Sequence, residues 1–176
     1  MANTSVLVPS RPRPRLERAY LLELAAHLAV TTDPACLPPP EPGRPVPGRR
    51  YARVLAEPYA EAWLIEWPPE SGIDLHDHGG ASGALHVVRG SLLEAHVDRF
   101  YPGPLRYRQV RAGGAITFGP ATVHDVVNAG TETALSVHVY SPTLERMTFY
   151  DHQSDRVPVP RHTELVVDGV VSDTWA

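Results

Sequence analysis

From Arg50 onward the chain is cut into short segments that alternate apolar and polar residues, each closed by glycine, proline or a charged turn. This punctuation limits the fold more than any other feature. Alternation with period two over a few residues marks a half-buried strand, and many such segments at close intervals predict a sandwich or barrel. Tyr51-Ala52-Arg53-Val54-Leu55 and Ala62 to Trp67, on either side of Glu57-Pro58-Tyr59-Ala60, predict a hairpin. A strand leading into His76-Asp77-His78 follows, then Ala84 to Val88, an Arg89-Gly90 turn, and Ser91 to Val97. Leu105 to Val110, Ala115 to Phe118, Val123 to Val127, Ala134 to Tyr140 and Met147 to Tyr150 extend the set. Glu164 to Val171 predicts one more hairpin at an edge. The expected class is mostly β.

The part before Arg50 is different. Residues 1–14 are polar and broken by Pro9, Pro12 and Pro14, which predicts a loose arm. Leu16, Tyr20, Leu21, Leu24, Ala25 and Leu28 then recur at three- and four-residue steps, an amphipathic helix with His27 near its polar side. Asp33-Pro34 supplies a cap and a first-position proline, which predicts a second short turn through Cys36. Prolines fill 38–49 and forbid regular structure there. The expected layout is therefore one domain over 15–176: a helical part at 15–37, a connector at 38–49, a β-barrel at 50–151 and a C-terminal β extension at 152–176. The whole chain of 176 residues is long enough to bury a real core. A net charge of -4 argues against a nucleic-acid partner, and no apolar run approaches a membrane span. The single cysteine, Cys36, has no internal disulfide partner, which suits a reducing compartment and a cytoplasmic protein.

The chemistry concentrates in Gly72-Ile73-Asp74-Leu75-His76-Asp77-His78-Gly79-Gly80. Histidines at i and i+2 on an extended strand face the same way, so both imidazoles can reach one ion. The small residues from Gly79 to Gly83 predict a roomy pocket next to them. His124, in Gly119-Pro120-Ala121-Thr122-Val123-His124-Asp125-Val126-Val127-Asn128, is the next candidate ligand. Together these stretches resemble the two motifs of the cupin superfamily, the first carried by His76, His78 and Gly90 and the second by Gly114, Pro120, His124 and Asn128. That resemblance implies a small jelly-roll-like cupin barrel preceded by one or two helices. The glutamate of the first motif is missing, its position falling at Ser82 or Gly83, which predicts three neutral imidazoles and no carboxylate.

Ser136, His138 and Tyr140 alternate with two valines, so one strand presents all three to the same side. Such a row can position a proton donor. With the histidines, it resembles the cysteine dioxygenase family of thiol dioxygenases, over about Tyr51 to Asp151. The resemblance implies Fe(II) held by His76, His78 and His124, with Tyr140 near the reacting thiol and dioxygen and oriented by Ser136 and His138. It also implies that Tyr51 and Arg53 meet the substrate, Arg53 by forking onto its carboxylate. Animal members link a cysteine to the triad tyrosine; the matching position here is Gly83, so no cross-link is expected. The implied partners are a small thiol and O2, and the implied reaction is cysteine to cysteine sulfinate. The alternatives are the same chemistry on mercaptopropionate or another thiol acid, and a non-catalytic metal- or ligand-binding cupin.

Overall fold

The computed structural model describes residues 14–40 and 48–166. The strands run β1 (Arg50–Glu57), β2 (Ala60–Trp67), β3 (Gly72–His76), β4 (Ser82–Arg89), β5 (Ser91–Asp98), β6 (Arg106–Arg111), β7 (Ala115–Phe118), β8 (Thr122–Val127), β9 (Ala134–Ser141), β10 (Arg146–Asp151) and β11 (Val159–Leu165). They form a five-stranded sheet ordered β1-β2-β9-β4-β7 and a six-stranded sheet ordered β11-β10-β3-β8-β5-β6. Every pairing is antiparallel. Between β2 and β9 the chain passes back and forth between the sheets, giving the jelly-roll barrel that the strand pattern and the cupin motifs imply.

Trp67, Leu85, Val87, Leu92, Val110, Ile116 and Val126 pack between the sheets. The outer face of the five-stranded sheet is covered by α1 (Arg18–Thr31), whose Leu21 and Ala25 pack on Ala62, Leu64, Ala84, Leu135, Val137 and Val139. Burying a leucine fully is worth about 1.5–3 kcal/mol, so the contact is a substantial one. Its consequence for β9 is burial on both faces, the valines toward the helix and the polar alternates toward the barrel interior.

The helix begins three residues later than the apolar spacing from Arg15 predicts. Glu17 is extended (φ -65°, ψ 141°) and stands at the cap, while the Leu16 N–H donates to Ser141 Oγ at 2.9 Å and ties the segment before the helix to β9. His27 is exposed, as its place near the polar side predicts. Asp33 accepts from the Ala35 N–H at 2.9 Å and caps a single 3₁₀ turn, Pro34–Cys36. At the C-terminal end, β11 starts earlier than the expected hairpin and pairs with β10 at a sheet edge. Residues 167–171 of that hairpin, 1–13 of the arm and 41–47 of the connector lie outside the described residues.

Candidate metal centre

His76 and His124 are cross-strand partners on β3 and β8, which lie side by side in the six-stranded sheet. His78 reaches the same point by another route than strand alternation. β3 closes at His76 because Asp77 leaves the ladder and is held from several sides. Its N–H donates to the Thr148 carbonyl at 2.9 Å. Its carboxylate accepts from the Gly79 N–H at 2.9 Å, Arg99 Nη1 at 2.8 Å and the Tyr150 hydroxyl at 2.7 Å. Gly79 and Gly80, with φ of 61° and 97°, then turn the chain back. The small residues thus make a tight turn rather than a roomy pocket: a Cβ on Gly79 would sit 2.7 Å from Arg146 Cγ. Arg15 closes the turn from outside by donating to the Gly80 carbonyl at 2.6 Å.

All three imidazoles are buried, with one ligand nitrogen from each lying within 4.8 Å of the others. Burial pushes the His76 and His78 pKa values well below the ordinary range, and the neighbouring imidazoles push further. Both rings are therefore neutral donors. His76 gives its Nδ1 proton to the Asp74 carbonyl at 2.7 Å, and the His124 Nδ1 proton faces Glu94 Oε1 at 2.7 Å. With its Nδ1 proton committed outward, neutral His76 leaves its Nε2 lone pair for the interior, and the Nδ1 contact with Glu94 turns His124 Nε2 the same way. Three converging imidazoles fit a divalent transition metal and leave coordination positions for other groups.

Glu94 is the residue at the centre that motif spacing misses. The cupin glutamate is indeed absent at Ser82 and Gly83, yet a carboxylate still stands behind the centre, supplied by β5. It is 1% exposed, with Oε1 on His124 and Oε2 on Arg108 Nε. Burial raises its pKa, but the hydrogen bonds from His124 and Arg108 outweigh that and bring it to about 2. The available signal was Glu94 and His96 sharing one face of a strand, which becomes informative only once β5 is known to adjoin β8.

Ser136, His138 and Tyr140 form a connected row. Trp67 Nε1 donates to Ser136 Oγ at 2.8 Å, Ser136 Oγ lies 2.9 Å from His138 Nε2, and His138 Nδ1 lies 3.3 Å from the Tyr140 hydroxyl. Because Ser136 is fully buried, its own proton needs an acceptor, and His138 Nε2 is the one at hand. That assigns the remaining proton to His138 Nδ1, from which Tyr140 Oη accepts, leaving the tyrosine O–H to point elsewhere. Burial holds His138 down to about 3, so it stays neutral. Burial and the charge of Glu61 push Tyr140 above its ordinary range, so it keeps its proton.

Tyr140, His138, His76 and His124 share one cavity of about 70 Å³, space for a few water-sized groups. Tyr51 is in its wall, edge-on to Trp63 with centroids 6.1 Å apart. The cation in the wall is Arg49, stacked 5.2 Å from the Trp67 ring. Arg53, which the motif match nominates, is not brought into this cavity. It lies 5.8 Å from the Trp63 ring in an adjoining recess with Glu57 and Glu61, and Leu144 and Val166 border both spaces.

Residues 48–153, more than half of the chain, match the family model for cysteine dioxygenase type I. The chain belongs to that family. Solved structures show the same fold at low identity. Protein TT1209 from Thermus thermophilus is 18% identical, with 63% of this chain and 95% of that one covered and a TM-score of 0.50. An oxalate oxidase structure is 17% identical, with coverage of 69% and 63% and a TM-score of 0.52. These likenesses speak for the cupin fold alone.

Cysteine dioxygenase family membership gives Gly83 its interest. It is the cross-strand partner of Tyr140, where the motif match would put a cross-linking cysteine. A Cβ at this position would lie 2.2 Å from Phe118 Cζ and 2.6 Å from the Val139 carbonyl oxygen. The Phe118 ring fills that space and stacks on His78 at 4.7 Å.

Proposed function

We propose that this cysteine dioxygenase family member is a non-haem Fe(II) thiol dioxygenase that converts a small thiol carboxylic acid, L-cysteine first, to its sulfinate. The observation that carries the proposal is the meeting of two devices at one cavity: a cluster of three buried imidazoles, of which His76 and His124 line it, and a buried Ser-His-Tyr row whose His138 and Tyr140 line it too. Iron held by His76, His78 and His124 would supply the redox chemistry that lets thiolate and dioxygen combine. Both oxygen atoms end on sulfur, RS⁻ becoming RSO2⁻, so the four electrons taken up by O2 come from sulfur and no outside reductant is required.

The protein's own part is placement. Tyr140 holds a proton over the cavity because burial disfavours its anion, and His138 fixes the direction of that hydroxyl. Trp67, Ile73, Val126 and Met147 line the cavity with apolar surface that excludes competing water. The substrate carboxylate falls to a guanidinium of this wall. Arg49 is the one inside the cavity; Arg53, the residue the family motif names, stands one ring away.

One feature favours an acid without an amino group, such as mercaptopropionate: among the described residues, no aspartate or glutamate lines the cavity to meet an ammonium. Oxygen uptake and sulfinate formation by iron-loaded protein, with cysteine, mercaptopropionate and cysteamine in parallel, test both readings. The expected result is one O2 consumed per sulfinate with a thiol acid and little with cysteamine. Consumption with none of the three would refute a dioxygenase of this class.

A further inference from the structure

The three imidazoles differ in what stands behind them. His76 faces a neutral backbone carbonyl, and His78 has no hydrogen-bond partner at Nδ1 and lies against Phe118. Only His124 hands its outer nitrogen to a carboxylate. That carboxylate is in turn gripped by Arg108, whose side chain is 35% exposed on β6, and His96 Nδ1 lies 3.5 Å from its second oxygen. A chain of charge therefore runs from a partly solvated arginine on β6, through a fully buried glutamate on β5, to a buried imidazole on β8, three adjacent strands of one sheet.

A buried ion pair is seldom worth its desolvation for stability alone, since apolar residues of similar volume do as well or better. The arrangement calls for another role. We propose that Glu94, backed by Arg108, is a positioning residue that acts on the metal through His124. By accepting the Nδ1 proton it fixes Nε2 as the inward nitrogen, and by drawing on that proton it gives the ring anionic character. The centre then carries part of a negative charge that three neutral imidazoles lack, and one ligand is a stronger donor than the other two. Partners of this kind orient ligands and raise their basicity in metal sites generally. The inference rests on metal binding by the three histidines and on nothing about the thiol.

Glu94→Gln keeps the shape of the side chain and an acceptor oxygen but removes the charge. The test uses the full chain and two readouts taken without thiol: iron(II) affinity by anaerobic chelator competition, and the midpoint potential of the bound iron couple. Affinity should fall about 10–100-fold, and the potential should rise as the ferric state loses the carboxylate behind it. The double variant Glu94→Gln/Arg108→Gln, which no longer strands a guanidinium, should retain the weakened affinity. Parent-like affinity and potential in Glu94→Gln would overturn the proposal, as would recovery of affinity in the double variant. If Glu94→Gln does not fold, Arg108→Gln decides. It leaves the carboxylate on His124 with less counter-charge, so iron should stay and the potential should drop; loss of iron there overturns the proposal. These shifts in a protein that oxidises no thiol would sustain the role of Glu94 while removing the dioxygenase reading.

Discussion

Adding one methyl group at Gly83 should disturb both the fold and the centre. Its Cβ would lie 2.2 Å from Phe118 Cζ and 2.4 Å from Cε2, more than an ångström short of ordinary contact, and 2.6 Å from the Val139 carbonyl oxygen. The ring has little room to retreat, since it stacks on His78 at 4.7 Å and meets His124 at 4.9 Å and Tyr140 at 5.9 Å. Overpacking of this kind costs about 1–3 kcal/mol. For a chain of this size each kcal/mol moves the melting temperature by roughly 2–4 °C, so Gly83→Ala should melt about 2–12 °C lower. Because the displaced ring leans on two candidate ligands, metal retention should fall with it. Phe118→Leu in the same chain opens the space and should recover part of both. Differential scanning calorimetry with metal analysis makes the comparison. The same crowding predicts that Gly83→Cys forms no thioether with Tyr140. A parent-like melt for Gly83→Ala, or an intact mass for Gly83→Cys that has lost two hydrogens, would show that Phe118 does not hold this space.

Tyr140→Phe should fold and bind metal normally but turn over about 10²–10⁴-fold more slowly, and full activity in steady-state oxygen uptake would remove the hydroxyl from the mechanism. His138→Ala should keep metal while slowing turnover about 10–100-fold; unchanged turnover would reduce the Ser-His-Tyr row to a strand face. Of the two arginines, Arg49→Gln should raise the apparent Michaelis constant for a thiol acid more than Arg53→Gln, by roughly ten- to 150-fold for a lost charge-assisted pair, and the reverse order would return the carboxylate to Arg53. Burial takes His138 from an ordinary 6.5 to about 3, so the unfolded ring binds a proton that the folded ring refuses. Metal-free protein should therefore hold its full stability above the first value and lose it as the pH falls toward the second; a flat series of melts across that window would contradict the burial of a neutral His138.

Wherever local alternation was enough, the sequence was a good guide. The β1–β2 hairpin, the Arg89-Gly90 turn and the bounds of β7 follow from residues close in the chain, and so does the shared face of Ser136, His138 and Tyr140. What depends on which strands adjoin could not be read this way, because register between distant strands is set by packing and not by local periodicity. Glu94 reaches His124 only because β5 adjoins β8. The crowding at Gly83 needs β4 between β7 and β9. The two arginines illustrate a subtler limit. Tyr51 and Arg53 share one face of β1 by alternation, but alternation does not say that Arg53 ends exposed while Arg49, just ahead of the strand, reaches the cavity with the histidines. The break in register after Arg53 and the bulk of Trp63 separate them.

The segment entering α1 is fastened at two points close to the three-histidine centre: Arg15 to the carbonyl of Gly80, and the Leu16 N–H to the side chain next to Tyr140. A stretch that contributes no ligand therefore works as a latch on both the metal turn and the tyrosine strand. Loosening of this segment should therefore disturb the three-histidine turn and the tyrosine strand together, to be read as coincident changes in helical signal and metal retention on one heating curve of metal-loaded protein.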